Sequence, residues 1–236
     1  MRLLVFVLLA TVAMPALANA PKVVVSLKPI HGLVSDVMKG VGLPHLLLPG
    51  SVDPHSHALR PSEARALVQA EIVFWIGPSL EAFLLKPLLS LSSSSRVVGL
   101  MQNLKLHRLK QRRGGVWGVN NLDRTLDRQI DPHIWLDPRN AQVIVEHIIE
   151  VLSEIDPKNA TIYIENGVRL GKELARLERD IHELLRPVRD LPFFVLHDAY
   201  QYFNFRFKTK SKGAIALDHE YKPGAQRILE IRRRLR

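Results

Sequence analysis

Apolar and polar positions change period several times along the first hundred residues. Residues 22–28 are a β-branched run, Lys-Val-Val-Val-Ser-Leu-Lys, closed by Pro29; after it Ile30, Leu33, Val34, Val37 and Met38 recur at helical spacing until Gly40. The pattern predicts a strand followed by a helix. Residues 46–48 predict a second strand stopped by Pro49-Gly50, and Pro61 with Glu63 in the first turn opens a helix to about Ala70. Residues 71–77 and 96–100 read as two more buried strands. Strands alternating with helices imply a mostly parallel, helix-covered sheet, because parallel neighbours need a crossover between them.

From 102 to 131 the periodicity fails: the stretch is rich in Arg, Lys, Asn and Gly, with Gly114-Gly115 near its middle, and it reads as a long basic flexible loop. Regular pattern returns with Ala141, Ile144, Val145, Ile148 and Leu152 on one helical face, ending before Asp156-Pro157. That dipeptide caps and restarts a helix which continues to Pro187. About 30 residues of helix would be ~45 Å long, more than one lobe needs, so it predicts a stiff strut between two lobes. Beyond Pro192 the pattern gives a strand at 193–196, a helix at 199–207 with Tyr200, Phe203 and Phe207 on one face, a strand at 214–217 and a helix at 224–235. A two-stranded lobe could not bury both faces of its sheet, so this lobe is expected to be incomplete and the chain truncated at its C-terminus. The predicted class is α/β, two lobes with parallel-rich sheets joined by a long rigid helix. Its parts are a leader at 1–20, a first lobe at 21–138 that includes the loop 102–131, a helical linker region at 139–187 and a partial second lobe at 188–236.

Composition narrows the compartment and the chemistry. Arg2, an apolar stretch and Ala18-Asn19-Ala20 have the form of a secretory signal peptide, which predicts a mature protein in the periplasm starting at Pro21. No later apolar run approaches the ~20 residues of a transmembrane helix. The chain has no cysteine, which excludes thiolate metal sites and thiol catalysis and leaves histidine, carboxylate and water as ligands. The formal charge of +10 is concentrated in residues 105–113 and 232–236. Such runs usually stay solvated, and an exported protein is not expected to meet nucleic acid.

Three histidines stand in distinctive phrases far apart in the chain: His55 in Pro54-His55-Ser56-His57, His133 in Asp131-Pro132-His133-Ile134-Trp135, and His197 in Leu196-His197-Asp198-Ala199-Tyr200. Neutral imidazoles are good ligands for zinc and its borderline neighbours, and folding could gather the three around one ion. His197 closes an apolar strand, where ligands of open α/β sheets collect. His57, Asp53 and Asp198 are candidates for a further ligand or for an acceptor that orients an imidazole. His31, His45, His107, His147, His182 and His219 read as structural or solvated. Glu63 and Glu81 read as helix-start charges, and Trp75, Trp135, Tyr200 and Phe203 as core.

These phrases form a set. Together with Val25-Ser-Leu-Lys-Pro29, Leu48-Pro-Gly50, Leu59-Arg-Pro-Ser62, Phe74-Trp-Ile-Gly-Pro78, Glu81-Ala-Phe83 and Pro223-Gly-Ala-Gln-Arg227 they resemble the periplasmic zinc-binding component of ABC uptake transporters, the ZnuA type. The resemblance spans nearly all of the chain after residue 20 apart from the basic loop. It implies a metal cleft between two α/β lobes, one zinc ion held by His55, His133 and His197, and delivery to a membrane permease by a monomer that is not an enzyme. Manganese-type members carry an acid where His197 stands, so zinc is expected over manganese. Two departures stand out: the loop is basic, with His107 its single histidine, and the family continues past residue 236 with a segment bearing a carboxylate near the metal. The principal rival is a secreted three-histidine zinc hydrolase, weakened by the lack of a His-Glu-x-x-His helix or a nucleophile elbow. A polyanion-binding envelope protein using the basic loop is a third reading.

Overall fold

A computed structural model describes residues 20–50, 52–91, 93, 95–102, 104–112, 130–215 and 225–234. The leader expected at 1–20 lies outside the described residues but for Ala20, and so does His219. Four strands, β1 (Val23–Val25), β2 (His45–Leu46), β3 (Ile72–Trp75) and β4 (Arg96–Gly99), form an all-parallel sheet in the order β2-β1-β3-β4. Helix α1 (Lys28–Val37) follows β1, α2 (Pro61–Gln69) follows β2, and a 3₁₀ turn at Ala82–Leu84 running into α3 (Leu85–Leu89) follows β3. Side chains alternate across the pleat. Val23, Val25, Ile72 and Phe74 enter one core with α1, while Val24, Val73 and Trp75 enter a second with Leu67 of α2, Leu84 of the 3₁₀ turn and Leu88 of α3. Both faces are covered, which is why β1 and β3 read as unbroken apolar runs.

The larger core is completed by α4 (Pro138–Ile155) and α5 (Ala160–Leu185). Asp137 caps α4 by accepting from Arg139 N at 3.0 Å, and Pro138 occupies the first turn. At the far end Asp156 accepts from Asn159 Nδ2 at 2.7 Å and Tyr163 Oη at 2.8 Å, which fixes the turn into α5. The expected continuous helix after Asp156 is a 3₁₀ turn, Pro157–Asn159, then a 26-residue helix, about 39 Å long. Its first half buries Tyr163, Gly167 and Leu170. Gly167 permits the close approach to α4, since a Cβ there would lie 2.1 Å from Ile149 Cδ1. Asn166 Nδ2 donates to the carbonyls of Val37 and Lys39 at 3.0 and 2.8 Å, closing the end of α1. The second half carries the other lobe: His182 packs edge-on to Phe207 at 5.0 Å, and Arg206 lies near Glu178.

That lobe contains β5 (Phe193–Val195) and β6 (Ser211–Ala214), paired in parallel, with α6 (Gln201–Phe207) between them and α7 (Ala225–Arg234) beyond. Several expectations are corrected. Strand β6 begins three residues before the predicted 214–217 run, because α6 ends on Lys208 with φ 56° and the chain turns back at once; residues 216 and 217 lie outside the described residues. The buried side chains of α6 are Tyr202, Asn204 and Phe207, whereas Tyr200 precedes the helix and is half exposed. No helix is expected at α3; its Pro87 is the third residue, in the first turn, where proline is tolerated.

The largest difference concerns the basic stretch. Residues 104–112 form a fixed strap: Leu104, Leu106 and Leu109 pack on the larger core, and Lys110 bridges antiparallel to Ile130. Asn140 brackets His107, accepting from its N–H at 2.8 Å and donating to its carbonyl at 2.9 Å. The leucines between the cations supply the burial that a charge count conceals. Residues 113–129 lie outside the described residues.

Candidate metal centre

Each of the three histidines is positioned by local backbone chemistry. His55 sits in the connection after β2, where Asp53 Oδ1 accepts from His55 N–H at 3.0 Å and Asp53 Oδ2 accepts from Ser56 Oγ at 3.3 Å. His133 precedes the short 3₁₀ turn Ile134–Leu136 and the cap of α4; Asp131 Oδ1 accepts from its N–H at 3.0 Å. The two turns are built alike because the sequence is alike, Asp53-Pro54-His55 and Asp131-Pro132-His133, an aspartate curling onto the amide two residues on. His197 lies at the end of β5, on the way into α6.

The fold brings the three rings together. Centroids of His55 and His133 are 5.8 Å apart, and those of His133 and His197 are also 5.8 Å apart. A tetrahedral zinc with bonds of about 2.0 Å would hold imidazole centroids roughly 5.2 Å apart, so the rings stand slightly open of ligating geometry. Consistent with that, no group of three His, Asp or Glu among the described residues is already closed for a metal. The rings border a cavity of about 910 Å³ between the lobes, walled by Leu27, Pro29, Leu48, Trp135, Leu196 and Tyr200 and also lined by Asp53. Trp135 meets His133 edge-on at 5.4 Å. Trp135 and Tyr200, expected in the core, are therefore walls of this cleft.

The chemistry at His133 fits a metal ligand. Its Nδ1 lies 2.7 Å from Asp131 Oδ1, a contact that needs the proton on Nδ1 and leaves Nε2 with its lone pair. Asp131 is 2% exposed, so the carboxylate is shielded from water and the ring orientation is held. Tyr202 Oη donates to the Asp131 carbonyl at 2.9 Å and accepts from Leu109 N–H at 3.1 Å. Burial pushes the Tyr202 phenol up to about 12, so it remains protonated and able to donate. None of Asp131, Tyr202 or Leu109 was among the candidates; the repeated Asp-Pro-His tripeptide was the available signal for Asp131.

The additional candidates separate. Asp53 lines the cavity. His57 turns elsewhere: its Nε2 meets Glu63 Oε2 at 2.8 Å and its ring stands edge-on to Phe83 at 5.0 Å. Asp198 is gripped at both oxygens by Arg112, with Nε to Oδ2 at 2.9 Å and Nη2 to Oδ1. Burial pushes the Asp198 carboxyl up, opposed by the Arg112 hydrogen bond and charge. Glu63 opens α2 as expected, and its Oε2 also accepts from Arg60 N–H at 2.8 Å. Glu81 is fully buried: its Oε2 accepts from the N–H groups of Ile76 and Gly77 at 2.8 and 3.0 Å, and its Oε1 bonds Ser26 Oγ. His107 stacks on Phe205 at 4.3 Å, away from the cleft lining.

Comparison with known proteins gives a consistent result. Residues 23–236 match the family described as ZnuA, zinc-uptake complex component A, periplasmic. The high-affinity zinc uptake system protein ZnuA of Brucella abortus (strain 2308) is 37% identical over 238 residues, covering 89% of this chain and 71% of that protein. The protein of that name from Paracoccus denitrificans (strain Pd 1222) is 32% identical over 246 residues, covering 95% and 75%. Among solved structures, a ZnuA crystal structure superposes with a TM-score of 0.75 at 24% identity, covering 90% of this chain and 76% of that one. The periplasmic zinc-binding protein TroA of Treponema pallidum gives 0.75 at 20% identity, covering 89% and 72%, which speaks for a shared fold.

Proposed function

The chain belongs to the ZnuA family of zinc-uptake components, and on that premise we propose that it captures zinc in the periplasm and delivers it to the membrane permease of an ABC importer. The ion is cargo. In this reading one zinc binds per chain, held by His55, His133 and His197, and the protein works as a monomer without nucleic acid. The observation that carries the reading is the convergence of three imidazoles from three distant segments on one cavity, with His133 presented by a buried carboxylate. Three neutral nitrogen donors suit zinc better than manganese, a harder ion that prefers carboxylate and carbonyl oxygen.

The geometry also supports reversible capture. Two ligands come from the first lobe and one from the second, so the site is complete only when the lobes are in register, and separating them would release the ion. The hydrolase alternative requires a general base beside a metal-bound water. Here the aspartates close in sequence to the three histidines have other partners: Asp131 bonds His133, Asp198 bonds Arg112, and Asp53 holds the turn at His55. No helix among the described residues is long and apolar enough to cross a membrane.

Calorimetric titration tests the proposal. Zinc is expected to bind with a stoichiometry of one; His133→Ala and His197→Ala should each weaken it at least tenfold, and His107→Ala should leave it unchanged. Equal affinities for all three variants and the parent would remove the assignment. Zinc-dependent turnover of simple esters or peptides would favour the hydrolase.

A further inference from the structure

The residue that follows His197 is an acid whose carboxylate is held by an arginine 86 positions away in the sequence. Arg112 reaches both Asp198 oxygens, the side chains being 21% and 24% exposed. A carboxylate is an ordinary ligand for divalent ions, and this one belongs to the residue next to His197, whose ring stands 5.8 Å from that of His133. A two-toothed guanidinium contact engages both oxygens, fixes the orientation of the carboxylate and offsets its negative charge, so the group is a poorer metal donor while the contact holds.

Arg112 is itself well placed to keep that hold. It lies in the strap, which is pinned to the second lobe just before it: Gln201 Nε2 donates to the Lys110 carbonyl at 3.1 Å, and Leu109 N–H donates to Tyr202 Oη at 3.1 Å. We propose that Arg112 is a specificity-determining positioning residue: by holding the Asp198 carboxylate it keeps an oxygen donor out of the three-imidazole site and so preserves selectivity for zinc over harder divalent cations. This rests on the three-imidazole reading above. An added carboxylate would turn an all-nitrogen donor set into a mixed one, and mixed sets favour manganese relative to zinc more than all-nitrogen sets do. Outer partners of a metal site commonly change affinity by about 10–100-fold, which sets the scale of the effect.

The test compares zinc and manganese dissociation constants for the full chain, the variants Arg112→Gln and Arg112→Lys, and the double variant Arg112→Gln/Asp198→Asn. In Arg112→Gln the preference for zinc over manganese should fall about tenfold, and the visible absorption of the cobalt(II) form should weaken as the coordination number rises. The double variant, which has no carboxylate to release, should regain the parental preference and cobalt spectrum. Arg112→Lys keeps the charge without the two-toothed contact and should shift the preference in the same direction by less. A merely structural Arg112 would lower both affinities alike, leave the ratio and spectrum unchanged and show no rescue in the double variant; that result overturns the proposal. If Arg112→Gln does not fold, an unchanged ratio in Arg112→Lys overturns it. Parental zinc binding that is indifferent to His133→Ala would instead remove the three-imidazole reading, and this proposal with it; zinc binding that needs His133 alongside an unchanged ratio in Arg112→Gln defeats this proposal alone.

Discussion

Glu81 offers a sharp test of the electrostatics beneath the site. The side chain is fully buried where β1 and β3 end, and burial pushes its carboxyl from an ordinary 4.5 up to about 7, against the opposing bonds from Ser26, Gly77 and Ile76. The folded state therefore binds a proton more tightly than the unfolded state. Between pH 4.5 and 7 the folded chain carries more protons, so stability from this group is full below 4.5, falls as pH rises, and levels off above 7. A shift of this size corresponds to about 3 kcal/mol lost across the window. Glu81→Gln removes the titration and retains the pattern of the protonated acid: its carbonyl can accept from the Ile76 and Gly77 amides and its NH₂ can donate to Ser26 Oγ. Urea unfolding of the metal-free protein in chelator at pH 5 and pH 8 reads the effect. Parent and variant should be nearly equal at pH 5, and the variant should be about 3 kcal/mol more stable at pH 8, since a buried charge is no longer required. A difference that stays constant from pH 5 to 8, or a parent more stable at pH 8, would refute the reasoning.

Three further outcomes are expected. Asp131→Asn should weaken zinc about 10–100-fold by titration with little loss of fold, because the amide cannot hold the His133 Nδ1 proton as a carboxylate does; unchanged affinity would show that the contact is only structural. Arg206 pairs at 2.7 Å through both nitrogens with Asp137, which is fully buried, so Arg206→Ala should cost about 3–5 kcal/mol in denaturant unfolding by stranding that carboxylate. A loss below about 1 kcal/mol, the scale of an exposed pair, would mean that water reaches Asp137 in the variant. Zinc affinity should fall as the solution is acidified, because protons compete with zinc for the same ring nitrogens; an affinity level from about pH 7.5 to 5.5 would point to carboxylate ligands.

Local chemistry on the chain already determined much of this protein. The apolar runs at β1 and β3, the apolar face of α4 and the proline-opened helices follow from side-chain period and backbone sterics, which act over a few residues and so are readable from order alone. The phrases around His55, His133 and His197 likewise carried the family resemblance. What the chain order could not settle was contact between segments far apart in it. Ser26 meets Glu81, Arg112 meets Asp198 and Arg206 meets Asp137 across 55, 86 and 69 positions, so the partner of each charge was decided only when the lobes packed. The strap 104–112 shows the same limit: its cations suggested a loop in solvent, yet three leucines and a bracketing Asn140 fix it to the body of the protein. Period predicts which face is apolar, and only packing decides what that face and its neighbouring charges meet, because burial and ion pairing depend on distance in space rather than along the chain.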